Sequence, residues 1–284
     1  MKLVNQSFKI LEQKDFSLIG IKKFIERCGR VCYKSEDKIT DDSYEKFVNM
    51  LEKRDHARPL EFGTVHLQMY ISDFHKLRDT LCINNMWDDQ WIKYHYAGNL
   101  TYVTTNYRYY LAIIKVFPSA EKDFVPQDDE LYPKRYTVHF ITSRGIMDEF
   151  RTHVGLSHLA ESSRYCSYDK NRFGNELTFI IPNWVNTNCP NKEQEGPLVA
   201  SIEWSTAMLD AEASYMNLIK MGCTAQEARE VLPLSIKSEL ISCGFEDAWS
   251  NFFYRRCAKD AHPMAREIAT KVRDKFKELS YVNQ

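Results

Sequence analysis

Two hydrophobic periods alternate along this chain of 284 residues, and together they limit the fold more than any single motif does. Residues 63–71 carry apolar side chains at every second position, which predicts a strand with one buried face. Residues 201–221 repeat apolar side chains at intervals of four and three, which predicts an amphipathic helix that ends before Gly222. A chain that mixes both periods is expected to adopt an α+β fold.

Shorter segments extend this pattern. Helices are predicted at 41–54, 145–154, 224–233, 246–257 and 263–280, and strands at 136–142 and 177–181. Residues 107–117 are predicted as a strand, with a helix as the alternative. Because no repeat or linker interrupts the chain, we expect one α+β domain over residues 1–284. It should have a mixed or antiparallel sheet flanked by helices and a helical C-terminal part.

Composition excludes several classes of protein. The net charge of -1 argues against nucleic acid or an anionic membrane surface as a partner. No apolar run is long enough to span a bilayer, and the N-terminus lacks the apolar core of a signal peptide. The ten glycines form neither a dinucleotide-binding fingerprint nor a Walker loop. The eight cysteines contain no C-x-x-C pair, so we expect reduced, mostly buried thiols in a cytoplasmic protein rather than a zinc site.

A polar segment between residues 151 and 179 is the strongest functional signal. It brings together Arg151, Ser157, Ser162 and Arg164 within a short stretch. Hydroxyls beside guanidinium groups are the side chains that a phosphorylated ligand needs. The strand-like run 177–181 follows, so this segment is expected to lie against a sheet.

Two arginines fall on apolar helix faces. Arg256 follows Trp249, Phe252 and Phe253 at helical spacing, and Arg229 shares a side of its short helix with apolar residues. An inward guanidinium needs a carboxylate or phosphate partner. The alternatives are an internal ion pair or a side chain that reaches the surface. His153 and His262 also have an explanation that needs no ligand. His153 can be a core histidine, and His262 can be a helix cap.

The block from Ser157 through Ser162 to Arg164-Tyr165 resembles the motif of the flavin-dependent thymidylate synthases. Four further pieces follow the order found in that family. They are Pro59-Leu60-Glu61-Phe62-Gly63-Thr64, Ala228-Arg229-Glu230-Val231-Leu232-Pro233, Asn251-Phe252-Phe253 with Arg256-Cys257, and Ala261-His262-Pro263-Met264 with Arg266-Glu267. The resemblance spans residues 59–267.

The resemblance implies a homotetramer with active sites between subunits, FAD as cofactor, and NADPH and methylenetetrahydrofolate as co-substrates. The nucleotide would be deoxyuridylate, a pyrimidine nucleotide monophosphate that the enzyme methylates to thymidylate. The implied catalytic residues are Arg256 and Ser162. The implied substrate-binding residues are Glu149, Arg151, Glu161, Ser162, Ser163, Arg164, Arg229 and Arg256. The implied FAD-binding residues are Thr64, Thr152, His153, Val154, Asn251 and His262.

The chain departs from the family pattern mainly on its flavin and folate side. Thr152 and Val154 stand where the family has arginines, and Phe62 stands where it usually has histidine. Leu159-Ala160 replaces Asn-Glu, although Glu161 supplies a carboxylate one position later. Two alternatives therefore stay open. One is C5 one-carbon modification of another uridine nucleotide, and the other is a nucleotide-binding homologue without turnover.

Overall fold

The computed structural model describes residues 1–54, 56–162, 168, 175–185 and 196–281. Its strands are β1 (Lys2–Val4), β2 (Ser7–Leu11), β3 (Thr64–Tyr70), β4 (Ile92–Ala97), β5 (Leu100–Asn106), β6 (Phe124–Val125), β7 (Arg135–Ser143), β8 (Ser157–Ala160), β9 (Thr178–Ile180) and β10 (Lys237–Phe245). Its helices are α1 (Leu18–Tyr33), α2 (Ser43–Lys53), α3 (Ile71–Ile83), α4 (Tyr107–Val116), α5 (Arg144–Arg151), α6 (Gly196–Lys220), α7 (Ala225–Ala228), α8 (Glu246–Arg256) and α9 (Pro263–Glu278). Short 3-10 turns cover 36–38, 58–62, 118–123 and 229–231.

An antiparallel sheet of order β2-β7-β10-β8, here called the central sheet, organises the C-terminal part of the chain. β7 and β10 pair along their full lengths, from Ser143 beside Lys237 to Arg135 beside Phe245. Nine residues at about 3.3 Å each make these strands about 30 Å long. The sheet thus has two separated ends, the Lys237 end and the Arg135 end.

A second antiparallel sheet of order β4-β5-β3-β6, here called the N-terminal sheet, is built from residues 64–125. A parallel pair of β1 and β9 completes the strands that the structure describes. The α+β prediction with antiparallel sheets is confirmed. That all of residues 1–284 form one domain stays a prediction.

The strand predicted at 107–117 is wrong, and the helical alternative is correct, because α4 occupies this segment. Asn106 begins the helix, since its side chain accepts a hydrogen bond from the N–H of Tyr109 at 2.9 Å. Tyr107, Tyr110 and Ile113 are buried at a spacing of three. The run of aromatic and branched residues resembles a strand locally, but the cap and the packing select a helix.

The strand predicted at 63–71 is confirmed, but its single buried face is not. Thr64 and His66, expected to point to solvent, are buried together with the apolar positions. β3 is paired on both edges, with β5 and β6, and the face that carries His66 is covered by the rings of Phe16 and Tyr132, which stack on His66 at 4.8 and 4.2 Å. The His66 ring satisfies one nitrogen through Thr104 Oγ1, 3.1 Å away.

Helices α5, α8 and α9 cover one face of the central sheet. Their shared core is aromatic: the Phe140 and Phe150 rings lie 5.2 Å apart, and the Phe150 and Phe252 rings 4.9 Å apart. Trp249 and Phe276 join the same cluster and are fully buried. Each such side chain contributes about 1.5–3 kcal/mol when buried. This core holds α5 and α8 in fixed positions, and both carry predicted site residues.

Two sequence expectations concern bulk properties. No helix in the described part of the chain combines the length and apolarity that crossing a bilayer requires. The described cysteines are free thiols, with Cys28 and Cys243 buried and Cys82 exposed. Cys166 and Cys189 lie outside the described residues.

Candidate active site

Helix α5 begins at the Lys237 end of the central sheet and ends in the loop that carries His153. Ser143 starts the helix, because its hydroxyl accepts a hydrogen bond from the N–H of Ile146 at 3.4 Å. Thr152 is the C-cap residue of this helix. The helix and its following loop therefore hold five residues predicted for the site: Glu149, Arg151, Thr152, His153 and Val154.

Arg256 lies inward, as its helical spacing predicts, and its guanidinium is bound to Glu149. Nη2 donates a hydrogen bond to the backbone oxygen of Glu149 at 2.6 Å, and Nη1 lies 3.5 Å from Oε2 of the same residue. The Arg256 side chain is 20% exposed, whereas Arg255 is exposed. Within one chain, the internal ion pair is the arrangement that Arg256 adopts.

Two histidines lie beside this pair, of which His153 is buried and His158 is half-buried. His153 packs edge-on against Phe252, with ring centres 5.3 Å apart. Burial first, and then the positive charge of Arg256, lower the pKa of His153 to about 4. No donor or acceptor among the described residues reaches its Nε2 within hydrogen-bond geometry. His153 is therefore a neutral imidazole at neutral pH, with one ring nitrogen left for a ligand.

His158, which sequence reasoning did not single out, fixes the His153 loop. Its Nε2 donates to the carbonyl oxygen of His153 at 3.0 Å, and its Nδ1 accepts from the Ser242 hydroxyl at 2.9 Å. Burial lowers the pKa of His158 to about 4. Its position on β8, directly after Ser157 of the motif, is the only signal in the sequence that points to it.

The remaining residues predicted for this region lie at the surface of the chain. Val154 is 80% exposed, and Thr152 is exposed beside it. Arg151 pairs with Asp148 at 3.1 Å. Asn251 accepts a hydrogen bond from Nε of Arg255 at 3.3 Å. His262 is the N-cap of α9, since its Nδ1 accepts from the N–H of Met264 at 3.2 Å, as the alternative explanation of this histidine predicts.

Thr64 lies at the Arg135 end of the central sheet, on a cavity of about 410 Å³. Arg135 Nη1 donates to Thr64 Oγ1 at 3.2 Å, and its guanidinium stacks 5.7 Å from the Phe245 ring. The cavity wall includes Phe16 and His66, whose rings are stacked 4.8 Å apart. Sequence reasoning also missed Arg135, although this residue directly precedes the strand predicted at 136–142.

Glu61 and Phe62, from the early motif, are structural in this chain. Phe62 is fully buried in an apolar cluster with Phe24 and Leu159. Glu61 is buried and accepts a hydrogen bond from the Ser157 hydroxyl at 2.7 Å. Arg108 Nη1 donates to its other oxygen at 2.6 Å. The replacement of histidine by Phe62 therefore builds core rather than lining a cavity.

At the Lys237 end, charged side chains form a buried group. Glu161 Oε2 lies 3.3 Å from Lys237 Nζ and 3.6 Å from Lys34 Nζ. Both lysines also contact Glu239 Oε1 at 2.5 Å. Burial would lower the pKa of Lys237, but Glu161 and Glu239 outweigh it and raise that pKa. Burial would raise the pKa of Glu239, but a hydrogen bond from His139 and the two lysines hold it well below its usual range.

Arg229 and Glu161 line one cavity of about 180 Å³, together with Arg144 and Lys237. A neighbouring cavity of about 380 Å³ shares Glu161 and Lys237 and adds Lys34. Ser162 follows Glu161, and its N–H donates to the carbonyl oxygen of Cys32 at 3.4 Å. The predicted substrate residues Ser163 and Arg164 lie outside the described residues.

The structure thus brings Glu161 and Arg229 together on one cavity, with Ser162 next to Glu161 in the chain, but leaves Arg256 elsewhere. Arg256 is bound near the last turn of α5, whereas the Arg229 cavity includes Arg144 at the first turn. Arg229 lines this cavity and Arg256 is bound to Glu149, so the two predicted anion-binding arginines have different surroundings. Lys34, Arg144 and Lys237 are cations of this end that sequence reasoning did not assign to it.

The part of the chain that matches a known family contains strands β7, β8 and β10 of the central sheet. The profile of a family described as thymidylate synthase complementing protein matches residues 134–280, just over half of the chain. The chain belongs to this family. Among curated proteins, none matches the chain significantly. Membership in the thymidylate synthase complementing protein family supports a thymidylate synthase-like enzyme that acts on a nucleotide.

The family match begins one residue before β7 and ends shortly after α9. It therefore includes Glu161, Lys237 and both predicted arginines, Arg229 and Arg256. Thr64, Lys34 and the whole N-terminal sheet precede it. The cavity at the Arg135 end and the larger cavity at the Lys237 end are thus lined partly by the matched region and partly by the segment before it, whereas the smaller cavity at the Lys237 end is lined by the matched region alone.

Proposed function

We propose that this protein converts deoxyuridylate to thymidylate, with methylenetetrahydrofolate as carbon donor, NADPH as reductant and FAD as cofactor. The observation that carries the proposal is the group of side chains at the Lys237 end. A buried carboxylate, Glu161, and the cations Arg144, Arg229 and Lys237 line adjoining cavities beside Ser162. Cations suit a nucleotide phosphate, and a carboxylate suits the hydrogen-bond donors of its sugar or base.

The residues present fit a flavin cofactor. His153 Nε2 is buried and unpartnered among the described residues, so a polar atom of the cofactor would satisfy it. Thr64 lines a cavity that also carries the cations Lys134 and Arg135. When bound, FAD supplies the redox chemistry and mediates one-carbon transfer. The chain contributes a neutral imidazole, a hydroxyl and positive charge around it.

We further propose that the active site is completed by other copies of this chain in a homotetramer. Arg151, Thr152, Val154, Asn251 and His262 are exposed in the single chain. A surface cluster of predicted site residues is what a site shared between subunits would produce. Glu149 and Arg256 would then face a nucleotide held at the Lys237 end of a neighbouring copy.

In this arrangement Arg256 supplies positive charge to the nucleotide ring, and Ser162 supplies a hydroxyl donor. A guanidinium polarises a pyrimidine carbonyl and stabilises negative charge that develops on the ring. Arg256 has a buried Nε without a partner among the described residues, so one of its donors is available for such a contact. Nothing in this scheme needs a nucleophilic serine.

A nucleotide panel tests the proposal. Protein reconstituted with FAD is supplied with NADPH and methylenetetrahydrofolate, and the pyrimidine nucleotide is varied among deoxyuridylate, uridylate and deoxycytidylate. We expect thymidylate from deoxyuridylate alone, identified by mass. Methylation of a different uridine nucleotide would replace the proposed substrate. Colourless protein that takes up no FAD and forms no product would support a binding protein without turnover.

A further inference from the structure

Arg135 carries a positive charge that no carboxylate among the described residues balances. It is half-buried at the start of β7, and it lines the cavity of about 410 Å³ at the Arg135 end. Its donors meet neutral oxygens: Nη2 donates to the backbone oxygen of Glu61 at 2.7 Å, and Nη1 donates to Thr64 Oγ1 at 3.2 Å. A half-buried guanidinium without a counterion costs free energy, so this cavity favours an anionic ligand.

The other charges on the described wall of this cavity largely cancel. Lys134 Nζ forms an ion pair with Asp128 Oδ1 at 2.7 Å. Lys14 and Glu12, both exposed, add one charge of each sign. The positive charge that is left over is therefore that of Arg135. A single positive charge suits a carboxylate better than a pyrophosphate, which brings more negative charge than the wall can balance.

His66 adds an unused hydrogen-bonding atom to the same wall. It is 1% exposed, and its ring lies between those of Phe16 and Tyr132. Nδ1 contacts Thr104 Oγ1 at 3.1 Å, whereas Nε2 has no partner in hydrogen-bond geometry among the described residues, although Asp128 Oδ1 lies 3.3 Å away. Burial lowers the pKa of His66, so the ring is neutral at neutral pH. A neutral ring that accepts from Thr104 presents an N–H at Nε2, which suits a ligand oxygen.

The apolar part of the wall is aromatic, so the ligand is expected to contain a flat ring. The Tyr136 and Tyr281 rings are stacked 4.3 Å apart at an interplanar angle of 15°, and Phe16 and Phe24 also line the cavity. The Tyr281 hydroxyl donates to Glu12 Oε1 at 3.2 Å, which helps to fix its ring. Aromatic walls with a few placed polar groups are typical of small-molecule sites, and the volume falls within their usual range.

We propose that this cavity binds an aromatic carboxylate, with the carboxylate held by Arg135 and by Nε2–H of His66 and the ring against the aromatic wall. The inference goes beyond the proposed function, because the resemblance assigns no role to either residue. Two sources supply this chemistry: a free aromatic acid, and the benzoyl-glutamate part of the folate co-substrate. Since Thr64 lines the same cavity, the ligand would lie beside the FAD contact that the resemblance implies.

The first test uses a matched pair of probes on the unmodified protein, 2-naphthoate and its neutral amide, 2-naphthamide. Calorimetric titration should show that naphthoate binds at least about tenfold more tightly, because only the carboxylate gains the charge-assisted contact. Equal affinity for the two probes, or binding of neither, would overturn the inference. Inorganic pyrophosphate should leave naphthoate bound, and displacement by pyrophosphate would refute the carboxylate assignment.

The second test assigns this preference to residues. Arg135→Gln should lose most of the preference for naphthoate over naphthamide, and Arg135→Lys should retain part of it because the charge remains. Arg54→Gln, at an exposed position after α2, is the matched control and should keep the full preference. An unchanged preference in Arg135→Gln would contradict the site.

Because Arg135 also holds the 58–62 turn, a second variant leaves its guanidinium in place. His66→Phe keeps a ring between Phe16 and Tyr132 but removes the N–H, so it should weaken naphthoate binding about three- to tenfold. His95→Phe, at an exposed position of β4, is its control. Unchanged naphthoate affinity in His66→Phe would refute the contact assigned to Nε2.

The third test separates the two sources from the cofactor. The stable folate 5-formyltetrahydrofolate is titrated against bound naphthoate, and FAD is titrated separately. Competition by the folate supports the site with the co-substrate as its source, and no competition supports it with a free aromatic acid. Displacement of naphthoate by FAD would assign the cavity to the cofactor and overturn the inference. Failure of the proposed function would leave the naphthoate result unaffected, because this titration needs neither nucleotide nor turnover.

Discussion

Arg256 is an inward guanidinium whose contacts within the described part of the folded chain are made with one residue. Its partners are the backbone oxygen and the carboxylate of Glu149. Because Glu149 is half-exposed, this ion pair contributes little to stability, about 0–1 kcal/mol. A stability role alone therefore explains poorly why an arginine occupies this apolar helix face.

Arg256→Ala should weaken deoxyuridylate binding at least about tenfold, since a charge-assisted contact is worth about 1.5–3 kcal/mol. Arg255→Ala is the matched control, because Arg255 is exposed and contacts Asn251 on its own helix. Titration calorimetry measures both variants, and light scattering checks that their oligomeric state is unchanged. Normal binding by Arg256→Ala would place the nucleotide elsewhere.

His153 and His158 make stability depend on pH. Both have folded pKa values of about 4, below the ordinary 6.5. As pH falls below 6.5 the unfolded chain takes up protons that the folded chain refuses, so the free energy of unfolding decreases until about pH 4. Each histidine contributes a slope of at most about 1.4 kcal/mol per pH unit.

His158→Gln should therefore show a shallower loss of stability between pH 7 and pH 5. Glu239 does not interfere in this window, because its depressed folded pKa costs stability only as pH falls through its ordinary value of 4.5 and below. Urea denaturation at several pH values gives the slope. His95→Gln, at an exposed position, should keep the parent slope. Equal slopes in all three proteins would show that His158 takes up its proton normally when folded.

Strand β8 and the turn at 58–62 are joined by one buried hydrogen bond, from Ser157 to Glu61 at 2.7 Å. Arg135 holds the same turn, since Nη2 donates to the Glu61 backbone oxygen at 2.7 Å. The first serine of the family motif thus connects the central sheet to the segment that leads into Thr64. Its role in this chain is to fix the distance between two elements.

Ser157→Ala should lower the free energy of unfolding by about 1–3 kcal/mol, because it leaves a buried Glu61 oxygen without a donor. Urea denaturation measures this change. Ser214→Ala, on the exposed face of α6, is the control and should alter stability by less than about 0.5 kcal/mol. A loss below that limit in Ser157→Ala would mean that water or another donor replaces the serine.

The distribution of predicted site residues favours an assembly over a single chain. Glu161 and Arg229 line cavities at one end of the central sheet, Thr64 lines a cavity at the other, and several predicted FAD contacts are exposed. In a symmetric oligomer, an exposed cluster on one copy can complete a cavity on the next.

Four chains of 33.4 kDa predict a particle of about 134 kDa by light scattering. A mixing experiment tests whether its sites are shared. Glu161→Gln and Arg256→Ala should each have low activity alone, and co-expressed chains should recover roughly a quarter of the sites if Glu161 and Arg256 come from different subunits. No recovery would indicate that each chain builds its own site. A particle of 33 kDa would refute the assembly itself.

Local sequence patterns were enough to predict several helices, the inward direction of Arg256 and the family of this protein. Hydrophobic period predicted the helices at 201–221 and 263–280, and the capping box at Thr224 and Glu227 predicted the start of α7. The inward direction of Arg256 followed from helical spacing, and the order of motifs identified the family. These properties depend on residues close in sequence, so the chain alone reveals them.

The partners of those residues were decided by tertiary structure. Sequence could not show that Arg256 binds Glu149, or that Glu161 lies between Lys34 and Lys237. Nor could it separate the strand and helix alternatives at 107–117, which the Asn106 cap and core packing decided. Contacts between distant segments depend on strand register and on how helices pack on a sheet. Those are set by the free energy of the whole fold, which no local pattern encodes.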